Sequence, residues 1–187
     1  MLGMVVIING SFGAGKTTVA RLLRAAFPGS MIFDPEWAGL FLMRLPRWIR
    51  LKGSGSDDFQ NIELWRRSAV EGVRLFRLLA RGPLIVPMTF SSRSYFDEVS
   101  TGIRGFDPEL RTFCLRVSLP TVKARLVGRG SKIEGPGSEW IARRVVECVA
   151  AHADPHFGEP VDTEHRSARE VAEEIVEKLR RQPTTNT

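Results

Sequence analysis

Gly10, Gly15, Lys16 and Thr17 stand at the fixed positions of a G-x-x-x-x-G-K-[ST] phosphate-binding pattern, in the stretch Gly10-Ser11-Phe12-Gly13-Ala14-Gly15-Lys16-Thr17. Each residue type answers a chemical need. Glycines admit positive φ and let the main chain approach an oxygen-rich ligand without a Cβ in the way. Successive N–H groups then make a concave anion nest, and the helix that follows turns its positive dipole end toward the phosphates. Lys16 reaches the β- and γ-phosphates as a point charge, and the Thr17 hydroxyl ligates Mg²⁺. With Thr18 opening the helix, Gly10 to Thr18 predict a site for a nucleoside triphosphate.

Other residues could complete such a site. Asp34 closes a short apolar run, Met31-Ile32-Phe33. Carboxylates at strand ends in open α/β sheets sit where ligands bind, so Asp34 could take a proton from a hydroxyl attacking the γ-phosphate or hold Mg²⁺ through water. Asp34-Pro35-Glu36 is equally a good helix start, and one side chain can serve both purposes. Arg125 and Arg129 lie four apart on one helix face and lead into the glycine-rich stretch Gly128 to Gly137. This reads as a lid spanning roughly 125–144 whose closure brings guanidinium groups onto the transferring phosphate and excludes water. A solvated surface loop is the plainer alternative. Gln60, Arg66 and Thr89 are candidates for the acceptor side. Thr89 matters because Leu84-Ile85-Val86-Pro87-Met88-Thr89 ends without a carboxylate, leaving Mg²⁺ to rely on Thr17, phosphate and water.

The elements that must position these residues follow from hydrophobic patterning. Met4 to Ile8, Met31 to Phe33, Leu84 to Val86, Phe113 to Val117 and Pro160 to Thr163 read as short strands. Pro87 is expected to close its strand rather than sit within it. Between the strands run helix-periodic segments. One carries Val19, Leu22, Leu23 and Ala26. A second starts near Asp57 or Asp58 and carries Trp65, Ala69, Val73, Phe76 and Leu79 as its core face. Ser91 or Ser92 and Ser138 mark further helix starts, and Pro120 opens another. Trp37 to Ile49 is an apolar segment that either packs on the sheet or covers the substrate. Ser167 with Glu170 predicts a capping box ahead of the stripe Val171, Ile175 and Leu179. Alternating strand and helix build parallel sheets with right-handed crossovers.

The 187 residues fit one domain, with 43% hydrophobic and 26% charged residues, as in ordinary globular proteins. The net charge of +6 comes from scattered basic residues, so nucleic-acid binding is not indicated. Cys114 and Cys148 are read as reduced thiols of a cytoplasmic protein. His152, His156 and His165 lack metal-ligand spacing. No N-K-x-D guanine-reading motif occurs, which disfavours a GTPase switch.

Taken together, the phosphate loop, Asp34-Pro35-Glu36, Asp57-Asp58-Phe59-Gln60, Leu64-Trp65-Arg66, Leu84 to Thr89 and Trp140…Arg144…Cys148-Val149 resemble the tunicamycin-resistance ATP-binding proteins. These are relatives of nucleoside monophosphate kinases and chloramphenicol phosphotransferases. The resemblance runs from about Met4 to Leu179. It implies an α/β fold: a five-stranded parallel sheet sandwiched by helices, a P-loop NTPase of nucleoside-monophosphate-kinase type. It also implies ATP as the nucleotide and resistance to a nucleoside antibiotic as the role. Two functions remain open: an ATP-dependent phosphotransferase with an alcohol group as acceptor, or a protein that sequesters the antibiotic without turnover. Membrane attachment through a C-terminal helix is associated with the family, whereas an apolar stripe on such a helix more commonly closes the sheet's flank.

Overall fold

Every residue of Val5–Gly10 (β1) is buried, and the two faces of this strand serve two different cores. In the computed structural model, which describes residues 3–35, 63–130 and 138–181, β1 is the middle of a five-stranded sheet. Its partners are Met31–Ile32 (β2), Leu84–Met88 (β3), Arg111–Arg116 (β4) and Glu159–Asp162 (β5). The order is β2-β3-β1-β4-β5 and every pairing is parallel. The expected five-stranded parallel sheet is therefore present.

Val5 and Ile7 face one layer, with Trp65, Ala69 and Val73 from Glu63–Leu79 (α2) and Phe96, Val99 and Ile103 from Arg93–Arg104 (α3). Val6 and Ile8 face the opposite layer, with Val19, Ala20 and Leu23 from Lys16–Ala26 (α1) and Val171, Ala172, Ile175 and Leu179 from Ala168–Arg180 (α6). A strand covered on both faces needs no polar alternation, which explains the continuous apolar run in its sequence. The α6 stripe is thus spent on the core beside α1. Among the described residues no helix is long and apolar enough to cross a membrane. A third, smaller cluster joins Leu119–Gly128 (α4) to Glu139–Ala151 (α5) through Val122, Leu126 and Val145, with Phe12 of the phosphate loop packed against it.

Two expectations need correcting. Pro87 lies within β3, opposite Ile8 of β1. Along β3 the odd positions face β2, since Pro83 and Ile85 accept from the Met31 and Phe33 amides, while the Leu84 amide donates to Met4, just ahead of β1. The donor that Pro87 lacks would point to the β2 side, and the β2–β3 register has ended at Ile32–Ile85. Leu79 is not part of the α2 core face; it is 62% exposed, because the inward position after Val73 and Phe76 falls on Ala80, which is buried. The start of that helix near Asp57, the segment Trp37 to Ile49 and most of the Gly128 to Gly137 stretch lie outside the described residues.

The predicted capping box exists: Glu170 N–H donates to Ser167 Oγ at 3.2 Å, and Ser167 N–H donates to Glu170 Oε2 at 2.8 Å. Since α6 closes one face of the sheet, Ser167→Ala should destabilise the protein by about 1 kcal/mol. Thermal unfolding followed by circular dichroism should show a midpoint lower by roughly 2–4 °C.

Candidate functional site

Gly10 to Thr17 connect β1 directly to α1 at the C-terminal end of the sheet, where the strand order changes direction beside β1. The glycines of the loop do different jobs. Gly13 (φ 82°) and Gly15 (φ 101°) take the left-handed backbone that the nest requires. Gly10 ends the strand, and a Cβ there would stand 3.2 Å from the Cβ atoms of Ala14 and Leu115, so its role is close packing. Gly15 is the N-cap of α1 and offers no side chain, and the first turn holds no acid. The orphan amides and dipole of that turn are left for an anion. Lys16 Nζ folds back over the loop, donating to the carbonyls of Gly10 (3.0 Å) and Ser11 (3.2 Å), and lies 5.5 Å from the centre of the Phe12 ring.

A cavity of about 230 Å³ opens over this loop, lined by Ser11, Phe12, Gly13, Gly15, Lys16, Thr17, Thr18, Asp34, Pro87, Leu126 and Arg129. Asp34 is its lining carboxylate and Thr17 its neighbouring hydroxyl, a hard oxygen donor set that suits Mg²⁺. A second cavity, about 260 Å³, adjoins the other side of Gly13 to Gly15 and is bordered by Thr18, Arg125, Arg129, Thr163, Arg166 and Ala168. The two arginines expected to act together are thereby divided. Arg129, at the end of α4, borders both cavities. Arg125 borders only the second, held to Thr163 through Nη1 to Oγ1 (3.2 Å) and Nη2 to the carbonyl (2.7 Å).

The other candidates also find definite places. Ala14 is buried; it does not line the cavity over Lys16 and Thr17 but borders the second one. Thr89 is 1% exposed and lines neither cavity. Arg66 is tied to α3, with Nε 2.6 Å from Glu98 Oε2 and its guanidinium 4.4 Å from the centre of the Tyr95 ring. Gln60 lies outside the described residues. Arg144 donates to Ser91 Oγ (2.9 Å) and pairs with Glu147 (3.1 Å), whereas Arg143 is exposed.

Asp34 owes its position to aromatic residues on either side. The Phe33 amide donates to Ile85 O and its ring stacks on Phe76 at 4.6 Å. A Cβ on Gly72 would come within 2.5 Å of the Phe33 ring, so only glycine lets α2 approach this closely. On the other side, Trp65 Nε1 donates to Pro35 O at 3.1 Å. The sequence marks Trp65 as a core residue but gives no sign that it brackets the carboxylate.

Two further polar residues went unmarked. Asn9, fully buried, accepts from the amides of both Gly10 and Phe90 at 2.9 Å. His152, which follows α5 as its C-cap and is 3% exposed, donates from Nε2 to Phe90 O at 2.7 Å; a carbonyl can only accept. An Asn before a Gly-rich loop is a faint signal, and a His at a helix end is fainter still. Burial lowers the His152 pKa to about 4, aided by the positive charges of Lys16, Arg116 and Arg144, while the bond to Phe90 opposes the shift. Burial also pushes the Cys114 thiol up to about 12, which leaves it protonated and inert.

The unfolded chain protonates His152 near the ordinary 6.5, the folded chain only near 4. Between these values the unfolded state binds more protons, so stability rises with pH through this window and is lost on acidification. The lost component should be on the order of 3 kcal/mol by pH 4. Melting wild type and His152→Gln in parallel from pH 7 to pH 4 should show a steeper fall for wild type.

Comparison with known proteins fits this geometry. A sequence search of curated proteins found no match. Among solved structures, a Deinococcus radiodurans tunicamycin resistance protein superposes with a TM-score of 0.68 at 27% identity, covering 94% of this chain and 95% of that one. A Sinorhizobium meliloti gluconokinase gives 0.63 at 20% identity, with 96% and 93% coverage. Shikimate kinase from Acinetobacter baumannii gives 0.62 at 16%, with 97% and 96% coverage. The two kinases carry the fold alone, that of small-molecule P-loop kinases. The model of the family described as chloramphenicol phosphotransferase-like protein matches residues 3–180. With nearly the whole chain matched and the resemblance read from its motifs borne out, the protein belongs to the chloramphenicol phosphotransferase-like family.

Proposed function

We propose that the protein is an ATP-dependent kinase that phosphorylates an alcohol group on a nucleoside-like small molecule, and that it thereby confers resistance to tunicamycin. The observation that carries this reading is the placement of Lys16, Thr17, Asp34 and Arg129 around one cavity at the end of β1. Those are the parts phosphoryl transfer needs: cations on the donor phosphates, a carboxylate for the attacking hydroxyl and little else. In this reading Gly10 to Thr18 hold the triphosphate, and the second cavity beside Thr163 and Ala168 takes the nucleoside. Thr17 would hold Mg²⁺, which would supply charge neutralisation at the phosphates. Asp34 accepts the hydroxyl proton as the oxygen–phosphorus bond forms and the bond to the β-phosphate oxygen breaks. ADP and a phosphate monoester are the products.

Arg129 stands where a guanidinium meets the charge on the moving phosphoryl, and Arg125 braces the nucleoside side. Residues 125–144 would form the lid of a single domain. Gln60, Arg66 and Thr89 belong to the acceptor side of the proposal, Arg66 and Thr89 as supports behind it. Cys114 and Cys148 are buried and form no disulfide with each other among the described residues, which suits a reducing compartment, so the cytoplasm is the proposed location.

Incubation with γ-labelled ATP and either tunicamycin or chloramphenicol tests the proposal, the expected result being label transferred to the acceptor. Lys16→Met should lower turnover by about 10²-fold or more, through lost stabilisation of the phosphates. Asp34→Asn should reduce kcat by about 10²–10⁴-fold while ATP affinity, measured by calorimetry, stays within about threefold. Tight antibiotic binding in the presence of ATP with no labelled product would replace the kinase with a sequestering protein.

A further inference from the structure

Phe90 occupies an unusual place in the polar structure. It follows β3 and lies between Pro87, which borders the nucleotide cavity, and Arg93, which opens α3. Its amide donates to Asn9 Oδ1 at 2.9 Å, and its carbonyl accepts from His152 Nε2 at 2.7 Å. Asn9 Nδ2 approaches the same carbonyl and that of Phe157, each at 3.5 Å. Both backbone groups of this residue are met by side chains from two other elements, and Asn9 is also bonded to the Gly10 amide. The next residue, Ser91, accepts from Arg144 through its Oγ, so α5 and its C-cap reach this crossover at two points about two helical turns apart.

We propose that Asn9 and His152 are positioning residues: together they fix the β3–α3 crossover to the phosphate loop, holding the wall of the acceptor side in register with the donor phosphates. The inference rests on the kinase reading above for its catalytic consequence, but not for the lock itself. A buried imidazole is a costly way to fill space, and an apolar side chain would serve packing better. His152 does have packing partners, its ring lying edge-on to Phe157 at 5.8 Å, yet these would equally accept leucine. What leucine lacks is the donor. Burial keeps the ring neutral through the physiological range, and the neutral ring with its proton on Nε2 is the form the carbonyl needs. Phosphoryl transfer depends on alignment within fractions of an ångström, and a displacement of about 1 Å at a site wall costs up to about 10²-fold in rate. The lock therefore acts on kcat rather than on nucleotide binding, which the loop and α1 provide for themselves.

His152→Leu removes the donor and keeps the volume, whereas His152→Gln can return an N–H to the Nε2 position. Hydrogen–deuterium exchange of the peptide containing residues 88–92 should be at least about tenfold faster in His152→Leu than in wild type, and near wild type in His152→Gln. With the acceptor that wild type turns over, His152→Leu should lose about tenfold in kcat with KM for ATP within about twofold, and His152→Gln should recover most of the loss. Unchanged exchange in His152→Leu overturns the proposal. So does an equal loss of kcat in the two variants that merely follows their melting temperatures. Absence of turnover in wild type with both tunicamycin and chloramphenicol would count against the kinase reading instead, and the exchange comparison would still decide the lock.

Discussion

The carboxamide of Asn9 is the contact on which the arrangement of the site depends. It stands on β1 one residue before the phosphate loop, and its oxygen receives the amides of Gly10 and Phe90 at the same distance. A buried amide that satisfies two backbone donors is worth more than a surface hydrogen bond, because the alternative is two orphaned groups in a dry interior. Through it, the strand that launches the phosphate loop and the strand that borders it cannot shift independently. The sheet brings β1 and β3 side by side; Asn9 fixes how their exits are aligned.

Around that point the charges are distributed by what each cation is held against. Lys16 rests on two loop carbonyls, ready for a stronger acceptor. Arg125 is committed to Thr163 and Arg66 to Glu98, so they hold structure together, while Arg129 borders both cavities over the loop. Asp34 is the counterpart among the acids. It is placed by a stacked phenylalanine on one side and a tryptophan hydrogen bond on the other, so its geometry depends on apolar packing against α2. The fold thus separates residues that border the cavities from residues that aim them, and several of the latter are aromatic or neutral.

How much of this was legible in the sequence varies with the range of the interactions involved. The loop was readable because its function depends on spacing within eight residues, and the α6 capping box because it closes within four. Strands β1 and β3 were visible as apolar runs, since burial on both faces leaves no room for polar residues. Pro87 was misplaced by about one position because its tolerance within β3 depends on where the neighbouring strand β2 stops. Leu79 reads as core from its size and approximate spacing, whereas the inward position at the end of α2 belongs to the small residue Ala80. Of the two arginines expected on one helix face, Arg125 lies on α4 and Arg129 follows it as the C-cap, and Arg125 is held by Thr163, nearly forty residues away.

By itself the sequence determined the phosphate-binding loop, the parallel α/β framework and Asp34 as an acid following a short strand, because each is encoded in residue types at short, regular spacing. Only the tertiary structure decided that Arg129 borders both cavities at the loop and Arg125 only the second, that Thr89 lines neither, and that Asn9 and His152 converge on Phe90. Those outcomes come from contacts between residues 38 to 81 positions apart, brought together by the packing of strands and helices rather than by any local pattern.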